Sequence, residues 1–173
     1  PYYAAYLWTN DSSFRDMHLR QCDALVALQD AYGVWMQFQP NDYEVSMVHA
    51  RFNIWYAESL VYAYDLTGNE KYLIAAQRTA ARYAALQEPN GLLYYKLFLP
   101  PIPPMDDSMC GSATAYAGIL WLMLLERGIN QFELNLNNSI NWLVTNQIPA
   151  THPDPNLAGA FLETWYKIGT MCQ

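Results

Sequence analysis

Residues 60 to 77, LVYAYDLTGNEKYLIAAQ, break an apolar helical run at Thr67-Gly68-Asn69 and resume it at once. A helix that stops at a glycine and restarts two residues later turns back on itself as an αα-hairpin. The break recurs. Arg127-Gly128-Ile129 follows at an offset of 60, where Tyr56 meets Tyr116, Ala57 meets Ala117, Leu60 meets Leu120, Tyr72 meets Phe132 and Gln87 meets Gln147. Thr9-Asn10-Asp11 precedes the break by 58 residues. At that offset Tyr6 meets Tyr64, Phe14 meets Tyr72, Leu28-Gln29-Asp30 meets Leu86-Gln87-Glu88, and Gly33 meets Gly91. Self-similarity at a long fixed period marks a helical repeat in which each unit is one hairpin.

The two helices of a unit differ in character. First helices are predicted at roughly 46–66, 108–126 and 157–168. Their sequences, such as RFNIWYAESLVYAYDL and GSATAYAGILWLMLL, are apolar nearly all round, as expected of helices covered on all sides. Second helices are predicted at roughly 11–31, 69–87 and 130–146. They carry a clearer polar stripe, as in Glu70, Lys71, Gln77, Arg78 and Arg82, and should form an outer layer. The expectation is an all-α, (α/α) toroid-like domain of about three hairpins in two layers, spanning residues 1–173. Its units fall at approximately 1–40, 41–104 and 105–156, with a final inner helix within 157–173. A closed ring of six such units needs about 350 residues. The chain therefore matches half a ring, an open array or a piece of something longer. Self-association or a missing remainder of the chain would cover the apolar ends.

Composition narrows the function. The formal net charge is −7 and the nine Lys and Arg residues are scattered, so a nucleic-acid partner is not expected. No run reaches the length of a membrane span, and Ala115 to Leu125 reads as a buried helix. Cys22, Cys110 and Cys172 show no metal-ligand spacing, so neither a metal nor another cofactor is expected. Low Lys content with abundant Tyr, Trp and Asn suits an exported glycan-handling protein.

Loops that enter the inner helices line one rim, where helix N-termini present free N–H groups and positive dipole ends. Three such loops each contain a carboxylate: Asn41-Asp42-Tyr43-Glu44, Pro104-Met105-Asp106-Asp107-Ser108, and His152-Pro153-Asp154-Pro155-Asn156. Asp106 and Asp107 are the sharpest candidates for general acid–base work on a glycosidic bond. The same residues suit plain N-caps, and adjacent side chains usually diverge, so one of the two at most points inward. Aromatic residues near the rim can stack on pyranose faces. Trp35, Tyr43, Tyr94, Tyr95 and Trp165 are candidates, while Trp55 and Tyr116 fit the core better. Inside the apolar first helices His49, Arg51, Asn53 and Glu58 need partners, because uncompensated burial is costly. They form a cavity lining or a structural network, and Glu163 poses the same question in GAFLETW.

The hairpin YDLTGNEKYLIAAQRTAARYA resembles one found across six-hairpin carbohydrate-active enzymes, and DDSMCGSATAYAGILWLMLL looks like an inner-helix entry of the same group. That group includes unsaturated glucuronyl hydrolases, several polysaccharide lyases and the C-terminal toroid of glucuronyl C5-epimerases. The run from Thr67 through Leu124 is similar to the last of these in layout. The resemblance implies an α/α toroid acting on a carbohydrate substrate, with Asp106 or Asp107 facing the cleft. The leading expectation is a glycoside hydrolase-like domain. A uronate lyase or C5-epimerase would instead use Tyr94, Tyr95 or His49 to remove a proton, with Arg51 as the stabilising cation. A non-catalytic helical-repeat scaffold that assembles into a ring or filament is the third reading.

Overall fold

A computed structural model describes residues 1–100 and 108–161, and the backbone of 164–166. Six helices dominate it. They are α1 (Tyr2–Thr9), α2 (Ser12–Leu28), α3 (Ala50–Thr67), α4 (Glu70–Leu86), α5 (Gly111–Leu125) and α6 (Glu133–Asn146), the last preceded by a 3-10 turn at Asn130–Phe132. The domain is all-α in class, and α1–α2, α3–α4 and α5–α6 are successive hairpins.

The first two turns are built alike. Asn10 (φ 55°) and Gly68 (φ 65°) end their helices in the left-handed conformation, donating N–H to Tyr6 O (2.8 Å) and Tyr64 O (2.7 Å). Asp11 and Asn69 then cap the returning helices, accepting from Ser13 N (2.8 Å) and Lys71 N (3.2 Å). The third turn is a Schellman closure, with Gly128 N bonded to Leu125 O and Ile129 N to Leu124 O.

First helices meet first helices, α3 against α5, and second helices meet second helices, α2 against α4. Asp23 of α2 accepts from Tyr72 Oη (2.6 Å) and Lys71 Nζ (2.7 Å) at the start of α4. The Lys71 bond, with that of Tyr72, holds the Asp23 carboxyl below the usual carboxylate range. Arg127 clasps Asp65 with two guanidinium nitrogens, bringing the third turn beside the second. The core lies between the helices. Trp121 of α5 is fully buried and its indole N–H reaches Ala80 O of α4 (3.2 Å). Tyr83 of α4 is fully buried and its hydroxyl donates to Ala50 O (2.5 Å).

Two short antiparallel ribbons pin the entries of α3 and α5. Strand β1 (Met47–His49) pairs with β2 (Lys96–Phe98), Val48 opposite Leu97. Strand β3 (Ser108–Cys110) pairs with β4 (Thr164–Tyr166), Met109 opposite Trp165. Each ribbon joins the segment before a first helix to the linker that leaves the following second helix.

This pairing corrects the expected inner helix at 157–168. Residues 154–159 form turns, closed by Leu157 N to Asp154 O (3.1 Å), and residues 164–166 form a strand. They belong to a linker, in the same relation to β3 that Lys96–Phe98 has to β1. The all-round burial expected of first helices also fails at the ends. Helix α1 buries no residue, with Trp8 91% exposed, and Ile119 and Leu122 of α5 are both exposed. Among the described residues no helix is long and apolar enough to cross a membrane.

Candidate functional site

The linkers are sewn onto the first helices by buried amides. Asn53, completely buried in α3, accepts from Trp35 N (2.8 Å). Its Nδ2 donates to Asn41 Oδ1 (3.3 Å), and the same oxygen accepts from His49 N (2.9 Å). Asn41 Nδ2 in turn donates to Trp35 O (2.8 Å). These bonds fix the path of residues 35–49 and thus the place of His49 at the mouth of α3. Tyr95 is held from both sides: its carbonyl accepts from Ala50 N (3.2 Å), and its N–H donates to Ser108 O (2.9 Å).

Side chains converge on that mouth. The His49 ring packs edge-on against Tyr95 (4.6 Å between centroids) and Phe52 (4.7 Å). Phe52 meets Trp55 (5.0 Å), and Trp55 meets Tyr116 of α5 (5.5 Å). The Arg51 guanidinium lies 5.7 Å over the Tyr95 ring. An unbroken aromatic row thus runs from the linker across α3 to α5. His49 is buried, while Arg51, Phe52, Trp55, Tyr95 and Tyr116 are half-buried.

Of the residues singled out from sequence, the structure brings together His49, Arg51 and Tyr95. Tyr94 is next to them and bridges its backbone to Met109. Trp55 and Tyr116, expected in the core, are part of the row. Phe52 was not anticipated, its only signal being its place beside Arg51. Other residues lie elsewhere. Trp35, expected as a sugar platform, is fully buried and donates its indole N–H to Leu25 O (2.8 Å); it is a core residue. A linker residue is normally exposed, but this linker is drawn inward by Asn41 and Asn53. Glu58 accepts from Tyr62 Oη (2.9 Å) and borders an apolar groove of about 860 Å³ between α1, α2 and α3, which Trp55 of the aromatic row also lines. Tyr43 is 76% exposed, in a turn capped by Asp42. Asp154 caps its own turn through Asn156 N (2.9 Å). Asp106, Asp107 and Glu163 lie outside the described residues, as does the Trp165 side chain.

The groove also holds a Cys–His pair, with Cys22 Sγ 3.7 Å from His18 Nε2. It is not an activated nucleophile. Burial, with Asp23 nearby, pushes the Cys22 thiol up to about 12, and the thiol donates to Ser59 O (3.4 Å). Burial lowers the His18 pKa, so its imidazole is disposed to stay neutral.

Neither a known family model, nor a curated protein, nor a solved structure matches the chain. The case for a function rests on the geometry of the rim.

Proposed function

We propose that this chain is a carbohydrate-active domain of the two-layer α/α-hairpin type, and that the mouth of α3 binds an acidic sugar. The observation that carries this reading is the row Tyr95, His49, Phe52, Trp55, Tyr116 with Arg51 over one end. Aromatic faces take pyranose faces in sequence along a chain. A guanidinium takes a carboxylate in a bidentate grip that neutral sugars cannot supply.

The polar groups that meet there are an imidazole, a phenol and a cation. That set suits removal of the C5 proton alpha to a uronate carboxylate, with Arg51 neutralising the charge that builds on it and one of His49 and Tyr95 taking the proton. In elimination the C4–O bond then breaks and the other of the two protonates the leaving oxygen; in epimerisation the other returns a proton to the opposite face of C5. Elimination or C5 epimerisation is therefore favoured over hydrolysis. Hydrolysis through Asp106 or Asp107 is the alternative.

The experiment is a panel of uronate oligosaccharides and their neutral counterparts, incubated in deuterated water. Unsaturated product reports elimination, deuterium at C5 reports epimerisation, and new reducing ends without unsaturation report hydrolysis. Arg51→Met is expected to weaken uronate binding about tenfold or more, the loss of one charge-assisted contact of about 1.4 kcal/mol or more, and to leave neutral sugars unaffected. Equal loss for both sugar classes removes Arg51 from the proposal. Absence of binding by the unmodified chain removes the proposal altogether.

A further inference from the structure

Three glutamines at the ends of second helices repeat one device, and the third is half made. Gln29 Nε2 donates to Gly33 O of its own linker (3.1 Å), and to Ala75 O (2.8 Å) and Thr79 Oγ1 (3.0 Å) of the next second helix. Gln87 Nε2 does the same with Gly91 O (3.0 Å), Asn135 O (3.1 Å) and Ser139 Oγ (2.9 Å). Each glycine sits hard against the incoming helix: a Cβ on Gly33 would meet Arg78 O at 2.6 Å, and one on Gly91 would meet Asn138 O at 2.1 Å. Gln147 Nε2 closes on Gly159 O (2.7 Å), and among the described residues its bonds end there. Gly159 is left-handed like the other two, at φ 76°, but among the described residues a Cβ there would touch nothing nearer than Gln147 Nε2 at 3.8 Å.

The exposed surface agrees. Ala80, fully buried in α4, corresponds at the 60-residue offset to Ile140 of α6, which is 47% exposed. Gln29 and Gln87 are half-buried, and Gln147 is exposed.

We propose that Gln147 and Gly159 form a docking site for one further αα-hairpin of this repeat. The second helix of that hairpin would supply a small or Asn residue whose carbonyl meets Gln147, and a Ser or Thr four residues later. That signature, Ala75 with Thr79 and Asn135 with Ser139, is shared by the two helices already held. It argues against a second copy of this chain docking through α2. At the 58-residue offset α2 offers Met17 and Gln21 at these positions, both too bulky for the close approach that a glycine-faced joint requires. The inference rests on the two filled joints and is independent of the sugar-binding reading.

The test adds a hairpin in cis, by fusing a second copy of residues 108–173 after Gln173. Gly159→Ala is made in the chain itself and in the extended chain. In the unextended chain it should cost only the strain of its left-handed backbone. In the extended chain it should lower the unfolding midpoint by about 5 °C or more beyond that, matching Gly91→Ala. Gln147→Ala should likewise be nearly silent in the first and damaging in the second. Equal effects of both substitutions in the two chains overturn the proposal. So does a stable dimer of the unextended chain that Gln147→Ala dissociates, since the site would then be taken by a second copy.

Discussion

The joint between the first and second hairpins and the joint between the second and third are the same machine with different fittings. At the second, Gln87 is fully employed: its nitrogen has three acceptors and its Oε1 accepts from Asn135 Nδ2 (2.8 Å). At the first, Ala75 stands where Asn135 stands, and the buried Gln29 Oε1 has no hydrogen-bond partner. The first joint compensates elsewhere, because the Thr79 hydroxyl donates directly to Gly33 O (2.7 Å). The second joint loads its carbonyl on the amide; the first shares it between amide and hydroxyl. The difference teaches that the joint is specified by backbone proximity, which both share, and only tuned by side chains, which vary.

Backbone proximity should therefore give the largest effects. Gly91→Ala places a Cβ 2.1 Å from a backbone oxygen at φ 96°, and Gly33→Ala one at 2.6 Å at φ 82°. Combining left-handed strain with overpacking gives a loss of about 4 kcal/mol for Gly91→Ala and about 3 kcal/mol for Gly33→Ala. Gly68→Ala, at φ 65° with nothing within 4 Å, should cost about 1 kcal/mol. Denaturant unfolding ranks the three; a Gly68→Ala loss equal to that of Gly91→Ala would show that backbone conformation, not close approach, sets the demand.

The amides come next. Gln87→Ala removes the amide partner of Gly91 O and Ser139 Oγ and leaves the half-buried Asn135 amide only its long bond to Ala84 O (3.5 Å), at about 2 kcal/mol. Gln29→Ala should cost about 1 kcal/mol, since Thr79 continues to serve Gly33 O. If the two substitutions cost the same, the Thr79 bond is not the compensation assigned to it.

The turns were legible in the sequence because their chemistry is local: Thr9-Asn10-Asp11 and Thr67-Gly68-Asn69 carry their own caps and make the same bonds at the same spacing. The joints were half legible. The correspondence of Gln29 with Gln87, and of Gly33 with Gly91, is plain in the sequence, but their partners lie 46 to 52 residues away, beyond the reach of any periodicity. The third unit misled because its linker is longer. Gln147 and Gly159 are twelve residues apart, against four for Gln29 and Gly33. This delay put the apolar GAFLETW where the regular spacing called for a helix, and an apolar aromatic run of that length fits a short strand equally well. At the mouth of α3, His49 and Arg51 were visible as polar residues in an apolar run and Tyr95 as an aromatic in a linker, whereas the row through Phe52 to Tyr116 is a product of α3 packing on α5.

The smallest effect is the sharpest probe of the comparison. Ala75→Asn would give the first joint the fitting the second has, offering an amide N–H to Gln29 Oε1. The position is 4% exposed, and its counterpart Asn135 reaches Gln87 Oε1 from the same place on its own helix. Satisfying one buried acceptor is worth about 1 kcal/mol, and replacing Ala by Asn in a helix interior costs about 0.5 kcal/mol, so a net gain of about 0.5 kcal/mol is expected. So small a number needs an internal reference. The same substitution in a Gln29→Ala background has no acceptor to serve, and there it should destabilise by its helix cost alone. The cycle isolates the pair: a coupling of about 1 kcal/mol shows that the two joints are interchangeable in their fittings. No coupling would mean that Thr79, by holding Gly33 O itself, has fixed the Gln29 amide in a pose the new side chain cannot use.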